Sequence, residues 1–261
     1  MQKLCSLKIR LGVPESVSLS YSQGSLFQGV LMSLIDRDYA AELHESQLHP
    51  YAQYISREED GTCYWVVNCA NEVAAKNIIP VLMTQESIFL EKLNAKIMLS
   101  DRAYNELSYE TLGSMFYGDP LPRFIEIRFL TPASFKSDGE YCIFPDVRKI
   151  FKSMMNKYDM AMKDSNSSVF DVEALDELCE QSRITRYNLR SRGFPLEGVT
   201  IPSFMGTITL KISGAQTLIN FAHMLFRFAE YCGIGIKTSM GMGAIRIEKE
   251  KFNGGMKHGL D

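Results

Sequence analysis

Only four histidines and one tryptophan occur in 261 residues, and no C-x-x-C pair is among them. The six cysteines (Cys5, Cys63, Cys69, Cys142, Cys179, Cys232) are scattered, which excludes the usual zinc-site spacing and supplies no disulfide framework, so they read as reduced, mostly buried thiols. No apolar run approaches a membrane span, and the opening MQKLCSLKIRLG alternates apolar and polar residues where a signal peptide would hold a continuous apolar block. A cytoplasmic protein with no membrane partner is the expectation. Nor is there a G-x-x-x-x-G-K-[ST] motif, or a G-x-G-x-x-G between strand and helix, which argues against an ATP or dinucleotide site. A basic excess is missing too: the net charge is -3, which taken alone argues against nucleic acid. What is present, 46% hydrophobic and 23% charged residues, suits one large or two small globular domains.

The average charge conceals an asymmetry. Arg183 to Lys257 holds eleven Lys or Arg against four Glu, a net +7, whereas residues 1–182 hold 17 against 26, a net -9, with Asp261 supplying the remaining -1. A basic C-terminal third in an acidic chain points to a local polyanion site, although an uneven solvated surface would give the same count.

Period-2 alternation predicts a strand over Lys3–Leu11, and apolar spacing of three and four through Phe27, Val30, Leu31, Leu34 and Ile35 predicts one helix from Ser25 to about Leu43, with His44 at or just past its end. TCYWVVNCA (Thr62–Ala70) reads as a strand, followed by a helix capped by Asn71 and interrupted or kinked at Pro80, then two strand-like stretches between Glu86 and Ser100. After YGDPLPR (Tyr117–Arg123) the rhythm repeats. It runs as a strand over Phe124–Leu130, a helix with the stripe Val147, Ile150, Phe151, Met154 and Tyr158, and an exposed loop over Lys163–Asp171. An alternating strand through Ile208, Leu210 and Ile212 comes next, then a helix from about Ala215 ended by Gly233, and a short strand over Ala244–Ile247. Strand, helix, strands, helix, strand occurring twice predicts an α+β fold of two ferredoxin-like (RRM-like, βαββαβ) domains. The expected units are 1–120, 121–251 and a flexible tail, 252–261.

Between the last helix and strand lies GIGIKTSMGMG (Gly233–Gly243). Its glycines allow positive φ and close approach, so consecutive N–H groups can converge on an anion while Lys237, Thr238 and Ser239 add charge and hydroxyls. A turn that merely lets helix and strand pack fits the spacing about equally well. SRITRYNLRSR carries Arg183, Arg186, Arg190 and Arg192 around Tyr187, suited to phosphate contact and base stacking, or to an ordinary solvated hairpin. Of the histidines, His223 lies in an apolar helix and reads as core, and His258 lies in the tail; His44 and His49 follow the first helix and are the candidates for proton transfer.

A helix followed by GIGIKTSMGMG near the C-terminus resembles the signature loop of the RAMP superfamily. The segments FLTPASFKSDGEYCIFPDVRKIF (Phe129–Phe151), IPSFMGTITL and LHESQLHPYAQY resemble the CRISPR repeat-processing endoribonucleases, Cas family six, and together they span the chain. The resemblance implies a tandem ferredoxin-like scaffold that cleaves CRISPR precursor RNA within each repeat, with no metal and no cofactor, the repeat RNA or crRNA being its partner. Other CRISPR effector subunits and a homodimer are left open as further partners. His44, in LHE, falls where the family places its catalytic histidine, Tyr51 falls where some members carry a site tyrosine, and His49 would assist or bind RNA. The first helix offers Met32 and no lysine in LFQGVLMSL, which leaves the acid unassigned. RNA binding falls to Gly235, Lys237, Thr238, Ser239 and Gly241 of the glycine-rich segment and to Arg186, Arg190 and Arg192. Cleavage of this kind needs a base for the ribose 2′-OH, charge stabilisation at the phosphoryl oxygens and an acid for the 5′-oxygen. A non-catalytic RAMP subunit that binds crRNA is the rival reading; a small-molecule enzyme on this fold has no motif behind it.

Overall fold

The computed structural model describes residues 2–163 and 168–251, the last three by their backbone alone. Part of the expected 163–171 loop, the expected flexible tail and His258 lie outside the described residues. Strand β1 (Lys3–Gly12) turns Cys5, Leu7, Ile9 and Leu11 into a core. The stretch expected as one helix is two, α1 (Gly24–Leu34) and α2 (Arg37–Glu45). Ile35 is extended at φ -78°, ψ 168°, and the Asp36 carboxylate accepts from the N–H of Asp38 (3.0 Å) and Tyr39 (3.1 Å), an N-cap that starts a new helix. Periodicity alone passes over this break because Leu31, Ile35, Tyr39 and Leu43 stay in phase across it, all buried.

The first half continues with β2 (Tyr51–Arg57), β3 (Cys63–Cys69), α3 (Glu72–Thr84), β4 (Ser87–Leu90), β5 (Ala95–Ser108) and α4 (Tyr109–Tyr117). Asn71 caps α3 through the Ala74 N–H (2.9 Å), and the helix does not end at Pro80. One missing donor is offset there by burial of Ile78, Ile79 and Leu82. The second half consists of β6 (Phe124–Ala133), the hairpin β7 (Phe135–Ser137) and β8 (Glu140–Cys142), α5 (Val147–Ala161), α6 (Val172–Gln181), β9 (Ser182–Leu196), β10 (Val199–Ile212), α7 (Gln216–Cys232) and β11 (Ile245–Lys251).

Both main sheets are antiparallel, with orders β2-β3-β1-β5-β4 and β11-β6-β10-β9. Counting the four principal strands of each half in chain order, each sheet runs 4-1-3-2, with β4 added at one edge. The repeated order makes this a tandem ferredoxin-like fold. One core lies between β1–β5 and helices α1–α3; a second lies between the other sheet and α5–α7, and α4 packs into it through Tyr109 and Leu112. His223 is buried in that second core, its Nε2 2.7 Å from the Pro122 carbonyl, the structural role its apolar helix predicted. No helix among the described residues is long and apolar enough to cross a membrane.

Candidate functional site

The glycine-rich segment leaves α7 at Gly233 (φ 68°) and is closed at its neck by Ile234 N–H to Gly243 O (2.8 Å) and Gly243 N–H to Pro132 O (2.9 Å). Gly243 sits at φ 66°, where a Cβ would fall 2.0 Å from the Ile234 carbonyl, so the neck admits only glycine. Further along, Gly235 N–H donates to Ser153 Oγ (2.9 Å) and Ile236 N–H to Ser134 O (3.0 Å). Lys237 then adopts left-handed backbone (φ 55°, ψ 33°) and leads into a 3-10 turn, Thr238–Met240. Among the described residues the N–H groups of Lys237, Thr238 and Ser239 have no acceptor, and a left-handed residue before such a turn directs successive N–H groups to one side.

Beneath the loop lies a residue that the sequence reading passed over. Lys157 of α5 is buried (4% exposed), and its Nζ donates to the carbonyls of Cys232 (3.2 Å) and Gly233 (3.0 Å) and to Thr238 Oγ1 (3.2 Å). Its ammonium thereby meets the C-terminal carbonyls of α7, where a cation is favoured. Burial nevertheless pushes the amine down to about 8, the nearby Cys232 thiol acting in the opposite direction. The signal was present: Lys157 stands on the apolar stripe of α5, three residues after Met154.

A second unforeseen residue joins the halves. Gln53 of β2, 1% exposed, donates through Nε2 to the carbonyls of Gly24 (2.8 Å) and Ser239 (3.0 Å) and accepts from Trp65 Nε1 (2.9 Å). Gly24 itself lies so close to the loop that a Cβ would come 2.4 Å from the Met240 carbonyl and 3.0 Å from the Gly241 Cα. Gly241 therefore packs against α1, away from the open side of the loop. The tip of the β9–β10 hairpin completes the junction with Phe194, Leu196 and Ile201, which bury Met242 and lean on Tyr21 and Met240.

This junction frames a cleft of about 520 Å³. One wall carries Gln28, His44 and His49; the other carries Lys157, Lys237 and Ser239, with Gly235 and Thr238 beside them. Glu197 is the one carboxylate lining it among the described residues. His44 occupies the last turn of α2 and is exposed. His49, half-buried, stacks on Tyr51 with ring centroids 5.6 Å apart and planes at 18°. Burial lowers the His49 pKa below that of an ordinary histidine; the Ser46 and Leu43 carbonyls oppose the shift, and the His44 ring and Lys237 reinforce it. Tyr51 is 1% exposed, behind His49. Its phenol is pushed up by burial, with Gln28 and Ser239 facing it and pulling down. Arg186, Arg190 and Arg192 are exposed along β9 and do not line the cleft. No group of three or more His, Cys, Asp or Glu that could hold a metal ion occurs among the described residues.

Two ferredoxin-like halves whose junction sets histidines of one against the glycine-rich loop of the other define a RAMP-type protein. The family model for the CRISPR-associated endoribonuclease Cas6 matches residues 127–245. A CRISPR-associated endoribonuclease Cas6 of Streptococcus thermophilus is 36% identical over 225 residues, covering 86% of this chain and 91% of the relative. Among solved structures, a Cas6 product complex superimposes with a TM-score of 0.77 at 21% identity, covering 95% of this chain and all of that one. Thermus thermophilus Cas6 gives 0.68 at 19%, covering 94% and 98%. The chain belongs to the CRISPR-associated endoribonuclease Cas6 family. It is an RNA endonuclease.

Proposed function

We propose that the protein cuts CRISPR precursor RNA within each repeat, without metal or cofactor, by attack of a ribose 2′-OH on the adjacent phosphate. The products carry 2′,3′-cyclic phosphate and 5′-OH ends. The observation that carries this reading is the cleft in which His44 and His49 stand opposite Lys237 and the unpaired amides of the glycine-rich loop. His44, open to solvent, takes the 2′-OH proton as the 2′-oxygen bonds to phosphorus, and the departing 5′-oxygen takes a proton from water in the open cleft. His49, whose pKa burial lowers, assists it, and Tyr51 holds the His49 ring by stacking. Lys237 and the amides of Thr238 and Ser239 hold the scissile phosphate, with Gly235 and Gly241 shaping the loop, while Arg186, Arg190 and Arg192 hold RNA outside the cleft.

In this scheme residues 1–120 supply the proton-transfer unit and 121–251 the unit that grips RNA. Structures of similar proteins include a Cas6 product complex and a Cas6 substrate mimic complex, which favours repeat RNA as the partner here. The enzyme would act in the cytoplasm, and light scattering of the RNA-bound protein would reveal a homodimer or a further CRISPR subunit. The test is single-turnover cleavage of a labelled repeat RNA in EDTA. The expected result is cutting by the wild type and a loss on the order of 100-fold in His44→Ala. No cutting by the wild type would instead support a non-catalytic RAMP subunit, and full activity of His44→Ala would move the base to His49.

A further inference from the structure

One exposed cluster outside the cleft has no part in the scheme above. Phe144, in the loop between β8 and α5, is 53% exposed, and Tyr187 of the edge strand β9 is 65% exposed. Their rings meet edge to face, centroids 5.7 Å apart and planes at 87°. Ile143 (49%) and Tyr141 (39%), just before Phe144 in the chain, are exposed as well. Isolated exposed apolar residues need no explanation, but two large rings from different segments that fix one another while leaving ring faces open to water form a preorganised contact surface.

The surroundings choose the occupant. Along β9, Tyr187 alternates with Arg186 and Arg190, whose side chains leave the opposite face of the sheet, so the cation on the aromatic side is Lys136, its Nζ 5.7 Å from the centre of the Tyr141 ring. Open flat rings with a lysine beside them fit a nucleic-acid base, since every base presents a π-face and the lysine is within reach of its phosphate. The surface is also continuous with the cleft. The β7–β8 hairpin that precedes Phe144 is tied at its base to the glycine-rich loop through Ile236 N–H to Ser134 O (3.0 Å) and Ser134 Oγ to Cys142 O (3.4 Å).

We propose that Phe144 and Tyr187 form a stacking seat for one unpaired nucleobase of the RNA whose scissile phosphate lies in the cleft. The seat fixes the register of the RNA, and it rests on the reading that this half of the protein grips RNA. Neither residue is a catalytic residue: the seat acts on where the strand lies and how tightly it is held.

The experiment titrates labelled repeat RNA, and a series of the same RNA with a single abasic site at each successive position, against wild type, Phe144→Ala, Phe144→Leu, Tyr187→Ala and Tyr187→Phe. Both side chains are exposed, so melting temperatures are expected to stay at the wild-type value. Phe144→Ala, Phe144→Leu and Tyr187→Ala are expected to raise Kd about tenfold on intact RNA with an unchanged salt slope, and Tyr187→Phe to bind like wild type. On the RNA abasic at the seated position, wild type and variants are expected to bind alike. Binding by the alanine variants within twofold of wild type would overturn the proposal while leaving the RNA reading intact. A loss of the same size at every abasic position would overturn it too, since the surface would then hold the strand without seating a base. No binding of repeat RNA by the wild type would overturn the reading on which the seat rests.

Discussion

Replacing Gln53 with leucine should loosen the joint between the halves, at a cost that follows from its three hydrogen bonds. The indole N–H of Trp65 can only donate, and Gln53 Oε1 is its acceptor at 2.9 Å in the core. Removing that acceptor leaves a buried donor unpaired, a penalty of about 1 to 3 kcal/mol. The Ser239 carbonyl loses the Gln53 amide at 3.0 Å, a net loss of about 1 kcal/mol, whereas the Gly24 carbonyl keeps its place as a first-turn acceptor in α1 and loses less. Leucine fills the volume, so little cavity cost is added. The expected loss is about 3 kcal/mol, or a melting temperature lower by about 6 to 12 °C for a chain of this size. Urea titration should show a lower midpoint, and single-turnover cleavage should fall with it because Ser239 and the loop are no longer tied to β2. Gln53→Glu keeps an acceptor for Trp65 but turns a carboxylate toward two carbonyls. Its folded-state pKa must therefore rise, and its stability deficit should shrink as the pH falls. A loss below about 1 kcal/mol in Gln53→Leu, with cleavage unchanged, would refute the view that this residue locks the loop in place.

Lys157 should leave a mark on stability at alkaline pH. Its folded amine titrates at about 8 against an ordinary 10.5, so between those values the unfolded chain holds a proton that the folded protein has released. Stability therefore gains as the pH rises through that window. The difference between wild type and Lys157→Met should grow by about 3 kcal/mol from pH 8 to 10.5 in urea titrations, and a flat difference would contradict the buried ammonium. Gly24→Ala places a Cβ 2.4 Å from the Met240 carbonyl and is expected to slow cleavage by displacing the loop; wild-type rates would show that the contact yields freely. Lys237→Ala and Arg190→Ala should weaken RNA binding and each lower the salt slope by about 1, with smaller effects on the chemical step; unchanged binding in titrations at two salt concentrations would remove them from the phosphate path.

The strand-and-helix order was legible where strands such as β1, β6 and β10 alternate and where the long helices keep one apolar stripe; β9, an edge strand exposed along most of its length, was not read as a strand. What escaped had a local cause. β2 follows Pro50 and carries glutamine and serine, so its core-facing set of Tyr51, Gln53 and Ile55 did not stand out, and the Gln53 junction was lost with it. The α1–α2 break is marked by Asp36 alone, since the apolar step of four runs straight across it. α4 shows only Tyr109 and Leu112 buried and α6 only Leu175 and Leu178, stripes too thin to read beside the stronger patterns. His44, His49 and the glycine-rich segment were legible as residue types. That they share a cleft depends on antiparallel pairing and on the Gly24–Gly241 approach, contacts between distant parts of the chain that no local spacing encodes. The arginines of β9 lie outside that cleft.

The central claim is that the ribose 2′-OH beside the scissile phosphate is the nucleophile, activated in this cleft. The direct measurement is single-turnover cleavage in EDTA of two repeat RNAs that differ only by a 2′-deoxy substitution at the mapped cleavage position, with end-group analysis of the products. Rapid cutting of the all-ribo RNA to 2′,3′-cyclic phosphate and 5′-OH ends, with the deoxy substrate bound equally well and left intact, is the predicted result. Cutting of the deoxy substrate at the same bond, or 5′-phosphate ends, would contradict it.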